Sequence, residues 1–276
     1  MKNEKLLSIV IASWNTMALT SECLKSIYGL EEFDETIEVI VIDNNSQDGT
    51  SEFIKSTFPS VILICNDSNE GYAPACNQGI KAAKGKYILL LGSDTILKNG
   101  CLKVCIDFLD RNNDCGAAGC RLVYPDGRLQ GNCKKFPMLK NAFYIYLSID
   151  KMNYDYDMHW FKYDKTTAVD QIATTFLMIK GELLKKLNGF DEKYRFLYND
   201  VDLCRRIRKE GKEIYFIESA EIIHYGSYST SKAPFNIRKK MYSDIFRYYW
   251  NYHGFPAMFL LPVLAFRLLA VTTFKR

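Results

Sequence analysis

The chain has 276 residues, of which 48% are hydrophobic and 25% are charged. These proportions are typical of a globular protein and exclude extensive disorder, and the length suffices for one large domain with a substantial core. The net charge of +4 is uneven, because residues 232–276 hold eight basic side chains against one acid and carry +7, which leaves −3 for residues 1–231. The mildly acidic body has no basic groove for nucleic acid, so no nucleic-acid partner is expected.

Cysteine usage and the first residues indicate a reducing compartment. The nine cysteines form no CxxC pair, and no matching histidine cluster would complete a zinc site. No signal-peptide pattern opens the sequence, because a short strand-like segment follows Lys5. We therefore expect a cytoplasmic protein with free thiols.

The first hundred residues alternate between apolar strands and helices. Strands are predicted at 6–12, 37–42, 61–64 and 87–91, each followed by turn-forming residues, with a helix in every interval. This alternation is typical of βαβ units and predicts a mostly parallel sheet with right-handed crossovers. No GxGxxG motif follows the first strand, which disfavours NAD as a cofactor.

Beyond residue 100 the alternation is less regular. Residues 132–170 are aromatic and irregular, and we interpret them as a variable lobe or a long loop over a site. No clear linker is visible, so we predict one domain at 1–231 and a tail at 232–276. The other predicted elements are helices at 102–109, 182–187 and 200–209, a hairpin after a strand at 117–124, and strands at 172–179, 214–217 and 221–224.

The tail combines a basic amphipathic helix with an apolar segment. Ile237, Met241, Ile245, Tyr248 and Tyr252 fall on one face of a helix predicted at 236–253. The apolar run that follows is too short for the ~20 residues that span a bilayer. Such a pair is typical of a segment that lies in the membrane interface. The alternative is a helix packed on the domain or on a second subunit, which would make the chain a homodimer.

Several acids and one imidazole stand where predicted strands end or helices begin. Asp43, Asp94 and His224 follow strands, while Asp200 and Asp202 open a helix. Taken singly, they could be turn acids, a helix N-cap, the partner of a nearby arginine, or a buried imidazole. Together they are expected on one edge of an α/β sheet, where ligands gather and a carboxylate could hold a divalent metal against a phosphate.

Five segments of the sequence match a known family in order and spacing over about residues 6–230. They are SIVIASWN (8–15), VIVIDNNSQDGT (39–50), NEGYAPACNQGIKAAKGKYILLLGSDT (69–95), FLMIKGELLKKLNGFDEKYRFLYNDVDLCRRIRKEG (176–211) and IIHYGSYS (222–229). In these segments the chain resembles the inverting glycosyltransferases of family 2, particularly their bacterial rhamnosyltransferase-like branch. The resemblance implies an α/β GT-A (Rossmann-like) fold, with a mixed, mostly parallel sheet flanked by helices and followed by the helical tail. Residues 1–100 would be the nucleotide-binding half and 101–231 the acceptor half.

The resemblance also implies a role for each matching residue. Asp200 would be the catalytic base, and Asp94 with His224 would bind Mg²⁺ or Mn²⁺ on the donor diphosphate. The nucleotide-sugar site would contain Asn15, Asp43, Asn77, Ser93 and Asp94. The residues on the acceptor side or supporting the base would be Asp191, Glu192, Asn199, Asp202 and Arg205.

Two positions depart from the family pattern. The DxD motif is reduced to Gly92-Ser93-Asp94, and the acid that normally precedes the base is replaced by Asn199. The position of Asp200 at a helix start is expected to lower its pKa through the helix dipole, and partial burial or the acceptor itself is expected to offset this effect.

The implied activity is transfer of a sugar from a nucleoside diphosphate to a hydroxyl of a lipid-linked or cell-surface polysaccharide. Rhamnose from dTDP-rhamnose is the favoured donor, and a hexose from a UDP-sugar is the alternative. The implied location is the inner face of the cell membrane, with the tail as a peripheral anchor. Two other functions remain open: an inactive module that binds a glycan or nucleotide-sugar, and a nucleotidyltransferase. A nucleotidyltransferase would require a basic phosphate-binding loop after the first strand. Residues 12–15 at that position are Ala-Ser-Trp-Asn, which is not such a loop.

Overall fold

A computed structural model describes residues 5–226 and 235–273. Its centre is a ten-stranded mixed sheet. The strands in chain order are β1 (Leu7–Ser13), β2 (Ile37–Asp43), β3 (Ile62–Cys65), β4 (Tyr87–Gly92), β5 (Thr95–Leu97), β6 (Cys115–Val123), β7 (Leu129–Gln130), β8 (Cys133–Lys134), β9 (Thr167–Val169), β10 (Gln171–Ile172), β11 (Phe176–Lys180) and β12 (Glu213–His224). The main path across the sheet is β3-β2-β1-β4-β11-β6-β12-β5, with β7 beside β6 and β9 beside β12, while β8 and β10 form a separate pair.

Helices cover both faces of this sheet. They are α1 (Met17–Tyr28), α2 (Thr50–Thr57), α3 (Tyr72–Ala82), α4 (Cys101–Arg111), α5 (Leu139–Tyr146), α6 (Gly181–Lys186), α7 (Asn199–Lys209), α8 (Phe235–His253) and α9 (Leu260–Thr273). Short 3₁₀ helices occupy Asp150–Asn153 and Phe255–Phe259. The arrangement confirms the predicted α/β class, and the helix predicted at 236–253 is present as α8.

The four amino-terminal strands are parallel because each is a short apolar run joined to the next by a helix. β1, β2 and β4 are buried along nearly their whole length, which is expected for strands covered on both faces. Their register pairs Ser13 with Asp43 and Ala12 with Gly92. The carboxyl ends of the three strands therefore meet at one edge.

The rest of the sheet reverses direction. β11 is antiparallel to β4 and β6, β12 is parallel to β6, and β5 is antiparallel to β12. The last pairing sets His224 opposite Thr95. As a result, the end of β12 reaches the same edge as the residues that follow β4.

The structure differs from the predicted elements at three places. The strand predicted at 172–179 is two strands, because the chain passes from the β8 pairing to the β4 pairing between Ile172 and Phe176. The two strands predicted at 214–217 and 221–224 are one strand, β12, with a register shift between Ile217 and Glu221. The region 132–170 is not wholly irregular, since it contains α5 and a 3₁₀ helix.

Helix α8 packs against the same body as the strands. Ile245, Tyr248 and Tyr249 are buried in a cluster with Tyr194 and Val201. Within the described residues, no helix is long and apolar enough to cross a membrane. The basic residues Lys232, Lys275 and Arg276 and the end of the 222–229 motif lie outside the described residues, and the boundary at 231 stays a prediction.

Candidate active site

Asp43 organises the loop that follows β2. The side chain is 2% exposed at the end of that strand. Its Oδ1 accepts hydrogen bonds from the Ser46 hydroxyl and from the Ser46 backbone N–H at 3.3 Å, and its Oδ2 accepts one from the Ser51 hydroxyl. The carboxylate therefore fixes the entry to α2 at the edge where β1, β2 and β4 end.

Asn15 joins the loops that follow β1 and β2. Its backbone has a φ of 51°, a left-handed conformation that asparagine adopts more readily than most residues. Its N–H donates to Ser46 Oγ at 2.9 Å, and its Oδ1 accepts from the Gln47 N–H at 2.7 Å. At the end of β4, the Ser93 hydroxyl lies 3.3 Å from that of Thr16. Three of the expected donor-side residues, Asn15, Asp43 and Ser93, thus belong to one connected edge.

Asp94 and His224 lie side by side. The antiparallel pairing of β5 with β12 brings Asp94 Oδ1 to 3.4 Å from His224 Nε2, with both side chains largely buried. The other ring nitrogen of His224 lies 2.6 Å from Gln130 Oε1. Within the described residues, no group of three or more His, Cys, Asp or Glu side chains converges on a metal-sized space. Among the described residues, Asp94 and His224 are thus the facing pair at this end of the sheet.

A cavity of about 290 Å³ opens beside this edge. Asn199 and Asp200 form one wall, and Ser13, Trp14 and Asn44 form part of another. Asp43, Asp94 and His224 lie outside its lining. The other lining residues are Ala12, Asn69, Tyr72, Thr174, Phe196, Leu197, Tyr198, Ile237 and Met241.

Ile237 and Met241 show that α8 closes this cavity. They pack with Trp14, Phe196 and Leu197 in a small apolar cluster. The sequence identified both residues on one apolar helical face, but it placed that face in a separate tail. The sequence could not show the packing partner of this face, because an amphipathic pattern does not indicate which surface covers the apolar side of the helix.

Asp200 stands in the first turn of α7 at the cavity wall. The preceding Tyr198 has a φ of 62°, which costs roughly 1–3 kcal/mol for a non-glycine residue and must be held by its surroundings. Burial raises the pKa of Asp200, against the lowering effects of the Val201 N–H hydrogen bond at 2.8 Å and of Lys134. Desolvation therefore outweighs the lowering expected from the helix start.

Asp244 of α8 holds the loop that leads to Asp200. Its Oδ2 accepts hydrogen bonds from the backbone N–H groups of Phe196 at 2.8 Å and Leu197 at 3.2 Å. Tyr198 packs against Tyr248, with 4.6 Å between ring centroids and 32° between ring planes. These contacts support the left-handed turn before α7, so the position of Asp200 depends on α8.

Asp202 and Arg205 face α8 and do not line the cavity. Asp202 accepts from Arg206 Nε and from the Tyr252 hydroxyl, each at 2.7 Å. Arg205 donates to the Tyr248 hydroxyl at 2.6 Å, and its guanidinium lies 4.4 Å from the ring centroid of Phe136. Both side chains therefore anchor the helix that carries Asp200.

Asn77 supports the loop after α6. Its amide donates to the Phe190 carbonyl and to Glu192 Oε1, and its oxygen accepts from the Phe190 N–H at 2.8 Å. Gly189, at a φ of +64°, passes so close that an added Cβ would lie 2.3 Å from Asn77 Oδ1. Asn77, Asp191 and Glu192 line a second cavity, which contains no residue of the Asp200 cavity.

The fold and this edge define a glycosyltransferase of the GT-A type, and comparison with known proteins agrees. The mannosyltransferase PcManGT from Pyrobaculum calidifontis, solved with GDP-Man and Mn²⁺, superposes with a TM-score of 0.61 at 16% identity, covering 98% of this chain and 76% of that one. The profile of glycosyl transferase family 2 matches residues 8–178. The chain belongs to this family and is a glycosyltransferase.

Two curated relatives are rhamnosyltransferases. N-acetylglucosaminyl-diphospho-decaprenol L-rhamnosyltransferase of Mycobacterium tuberculosis is 24% identical over 226 residues, which cover 73% of this chain and 70% of the relative. Rhamnosyltransferase WbbL of Escherichia coli K12 is 25% identical over 212 residues, covering 73% and 77%. The resemblance to the rhamnosyltransferase branch is therefore confirmed.

Proposed function

We propose that this glycosyltransferase is inverting and metal-dependent, with Asp200 as the base that deprotonates the acceptor hydroxyl. The observation that carries the proposal is the position of Asp200, a carboxylate with a raised pKa in the wall of the cavity next to the strand ends. Inverting transfer needs one base and stabilisation of the departing diphosphate, and no covalent nucleophile. A raised pKa makes the carboxylate a stronger base than an ordinary aspartate.

Asp94 and His224 fit a divalent metal. Their facing oxygen and nitrogen atoms lie 3.4 Å apart, a span that two ligands of one cation can adopt. A bound Mg²⁺ or Mn²⁺ would neutralise charge on the departing diphosphate, whose oxygens would complete the coordination. The Mn²⁺ in the PcManGT structure supports this assignment.

The chain's own residues would bind and orient the substrates. Asn15, Asp43 and Ser93 shape the donor edge, where Asp43 could accept a hydrogen bond from a pyrimidine ring N–H. Trp14, Ile237 and Met241 give the cavity an apolar wall that limits water near the reacting centre. Asn77 lies outside this cavity, and its role would be to hold the loop after α6 in place.

The donor we favour is dTDP-rhamnose, because the two rhamnosyltransferases align with most of the chain. A UDP-hexose is the alternative donor. The acceptor would be a hydroxyl of a lipid-linked or cell-surface glycan, since the name of the mycobacterial relative indicates a lipid-linked acceptor for that protein.

A lipid-linked acceptor would place the enzyme at the inner face of the membrane. Helix α9 and the 3₁₀ helix before it expose Phe255, Phe259, Phe266 and Leu269. Exposed aromatic and apolar side chains beside basic residues suit the membrane interface. The alternative use of this surface is contact with a second copy of the chain.

A screen of nucleotide-sugars tests the function. Each donor is incubated with the wild-type enzyme and with Asp200→Asn, and both release of nucleoside diphosphate and thermal stabilisation are measured. We expect dTDP-rhamnose to stabilise both proteins and to be turned over by the wild type alone. Binding without turnover by the wild type would instead identify an inactive binding module, and turnover retained by Asp200→Asn would exclude Asp200 as the base.

A further inference from the structure

Gln130 contacts the imidazole of His224 from the side opposite Asp94. Its Oε1 lies 2.6 Å from His224 Nδ1. Gln130 is the last residue of β7. Strand β7 pairs with one side of β6 at Leu122 and Val123, and β12 pairs with the other side of the same two residues. The hairpin that the sequence predicted after β6 thus delivers a polar side chain to the end of β12.

The contact favours one position for the proton of His224. An amide oxygen accepts hydrogen bonds and cannot donate them, so a hydrogen bond between these two atoms requires the proton on Nδ1. In the neutral ring, Nε2 then presents a lone pair to Asp94 Oδ1. Their separation of 3.4 Å exceeds the 2.7–3.2 Å usual for an N–H···O hydrogen bond. Two acceptor atoms face each other, as they would around a cation.

We propose that Gln130 is the positioning residue of the metal centre, fixing the tautomer and the ring orientation of His224 so that Nε2 is free to bind the metal. The inference rests on the metal site of the proposed function. Residues that accept a hydrogen bond from the non-ligating nitrogen of a histidine ligand typically contribute 10–100-fold to metal affinity. Gln130 belongs to none of the segments that carried the family resemblance, so no role could be predicted for it from the sequence.

The tautomer can be measured without metal. The chain has three histidines, so a long-range ¹H–¹⁵N spectrum is simple, and His224→Ala assigns the resonance. At pH 8 we expect the His224 proton on Nδ1 in the wild type and in Gln130→Glu. In Gln130→Met, which has no oxygen acceptor, the proton should distribute between both nitrogens. A wild-type proton on Nε2 would overturn the proposal, because it would mean a plain hydrogen bond to Asp94.

Metal affinity provides the second readout. Binding of dTDP is titrated with Mn²⁺ for the wild type, Gln130→Met, Gln130→Glu and the exposed hairpin control Arg128→Met. We expect Gln130→Met to need roughly tenfold more Mn²⁺ or above, while Gln130→Glu and Arg128→Met need no more than the wild type.

The outcomes separate this inference from the function on which it rests. If Gln130→Met matches the wild type while His224→Ala loses the Mn²⁺ dependence, the metal centre stands and the role of Gln130 is overturned. If the affinity of the wild type for dTDP does not depend on Mn²⁺, the proposed metal centre is overturned, and the role of Gln130 is overturned with it.

Discussion

Tyr252 of α8 donates a hydrogen bond of 2.7 Å to Asp202, two residues beyond the proposed base. Asp202 is buried, and its other oxygen is paired with Arg206 of the same helix. The carboxylate thus joins α7 to α8 at the turn that presents Asp200 to the cavity. Helix α8 belongs to the tail that the sequence suggested as a membrane anchor, and in the structure it supports the helix that carries Asp200.

Replacing Tyr252 with Phe should weaken this support. Loss of a hydrogen bond to a buried charged group is expected to lower the free energy of unfolding by about 1.5–3 kcal/mol. We also expect kcat to fall more than KM rises, since α7 loses a contact and the donor edge is untouched. Urea unfolding and steady-state kinetics measure both effects. Tyr154→Phe, at an exposed tyrosine, is the control, and equal stability of the two variants would contradict the prediction.

Arg205→Lys should also destabilise the junction. The Arg205 guanidinium lies 4.4 Å and 4.6 Å from the ring centroids of Phe136 and Tyr252, and it donates to the Tyr248 hydroxyl. Lysine keeps the charge but loses the flat stacking surface, so we expect a loss of about 1–2 kcal/mol in the free energy of unfolding. Arg208→Lys on the same helix is the matched control. A stability loss in the control as large as in Arg205→Lys would refute the importance of the contacts between Arg205 and the rings of Phe136 and Tyr252.

The raised pKa of Asp200 predicts the acid limb of the pH–rate profile. Burial disfavours the carboxylate, so the pKa lies above the ordinary value of 3.8. A base must be deprotonated, and the rate should therefore fall as pH is lowered through this raised pKa. We expect the midpoint of the acid limb of kcat to lie above 3.8, measured with the metal held saturating. An acid limb at or below the ordinary aspartate value would argue against Asp200 as the base.

The same shift predicts the effect of Asp200→Asn on stability. The folded state binds the Asp200 proton more tightly than the unfolded chain, so this contribution is present below the unfolded pKa and is lost as pH rises through the folded pKa. At pH 7 the wild type bears the cost of a buried charge that the amide avoids. Asp200→Asn should therefore be more stable than the wild type at pH 7, with the difference shrinking toward pH 4. Asp155→Asn, at an exposed carboxylate, should show no such trend in urea unfolding.

The fold was predictable because its strong signals are local. The apolar runs of β1, β2 and β4 end in turn residues, and their order dictates a parallel sheet whose ends carry Asp43 and Asp94. The contact between Asp94 and His224 could not be predicted, because it depends on the antiparallel pairing of β5. This strand has three residues and is too short to be distinguished from a loop in the sequence. The role of α8 was also hidden, because Ile237 and Met241 fit a membrane, a partner or the domain equally well. Cavity walls of this kind are decided by long-range packing.

Removal of metal should lower activity. If Asp94 and His224 hold the proposed cation together with the donor diphosphate, a chelator should remove it readily. We expect EDTA to abolish transfer, Mn²⁺ to restore it, and Asp94→Ala to reduce kcat/KM at least tenfold at about 1.4 kcal/mol of lost transition-state stabilisation. Asp126→Ala on the exposed hairpin is the control. Full activity after exhaustive chelation would remove the metal from the mechanism.

Membrane binding is best tested with the exposed face of the tail. Deleting 254–276 would also remove Ala257, Leu260 and Leu264, which are buried in the cluster around Tyr248, so loss of binding could reflect unfolding. Phe259 and Phe266 are 65% and 71% exposed, and serine at both positions should leave that cluster intact.

We expect the Phe259→Ser/Phe266→Ser protein to sediment less with anionic vesicles, because each phenyl ring loses about 2 kcal/mol of burial in the interface. Its thermal midpoint and its turnover of a soluble acceptor should match the wild type. Ile62→Ser, at an exposed apolar residue of the edge strand β3, is the control and should sediment like the wild type. Unchanged sedimentation of the double variant would show that the tail face does not bind lipid. A wild type that fails to sediment but forms a dimer, which the double variant lacks, would assign the face to a second copy of the chain.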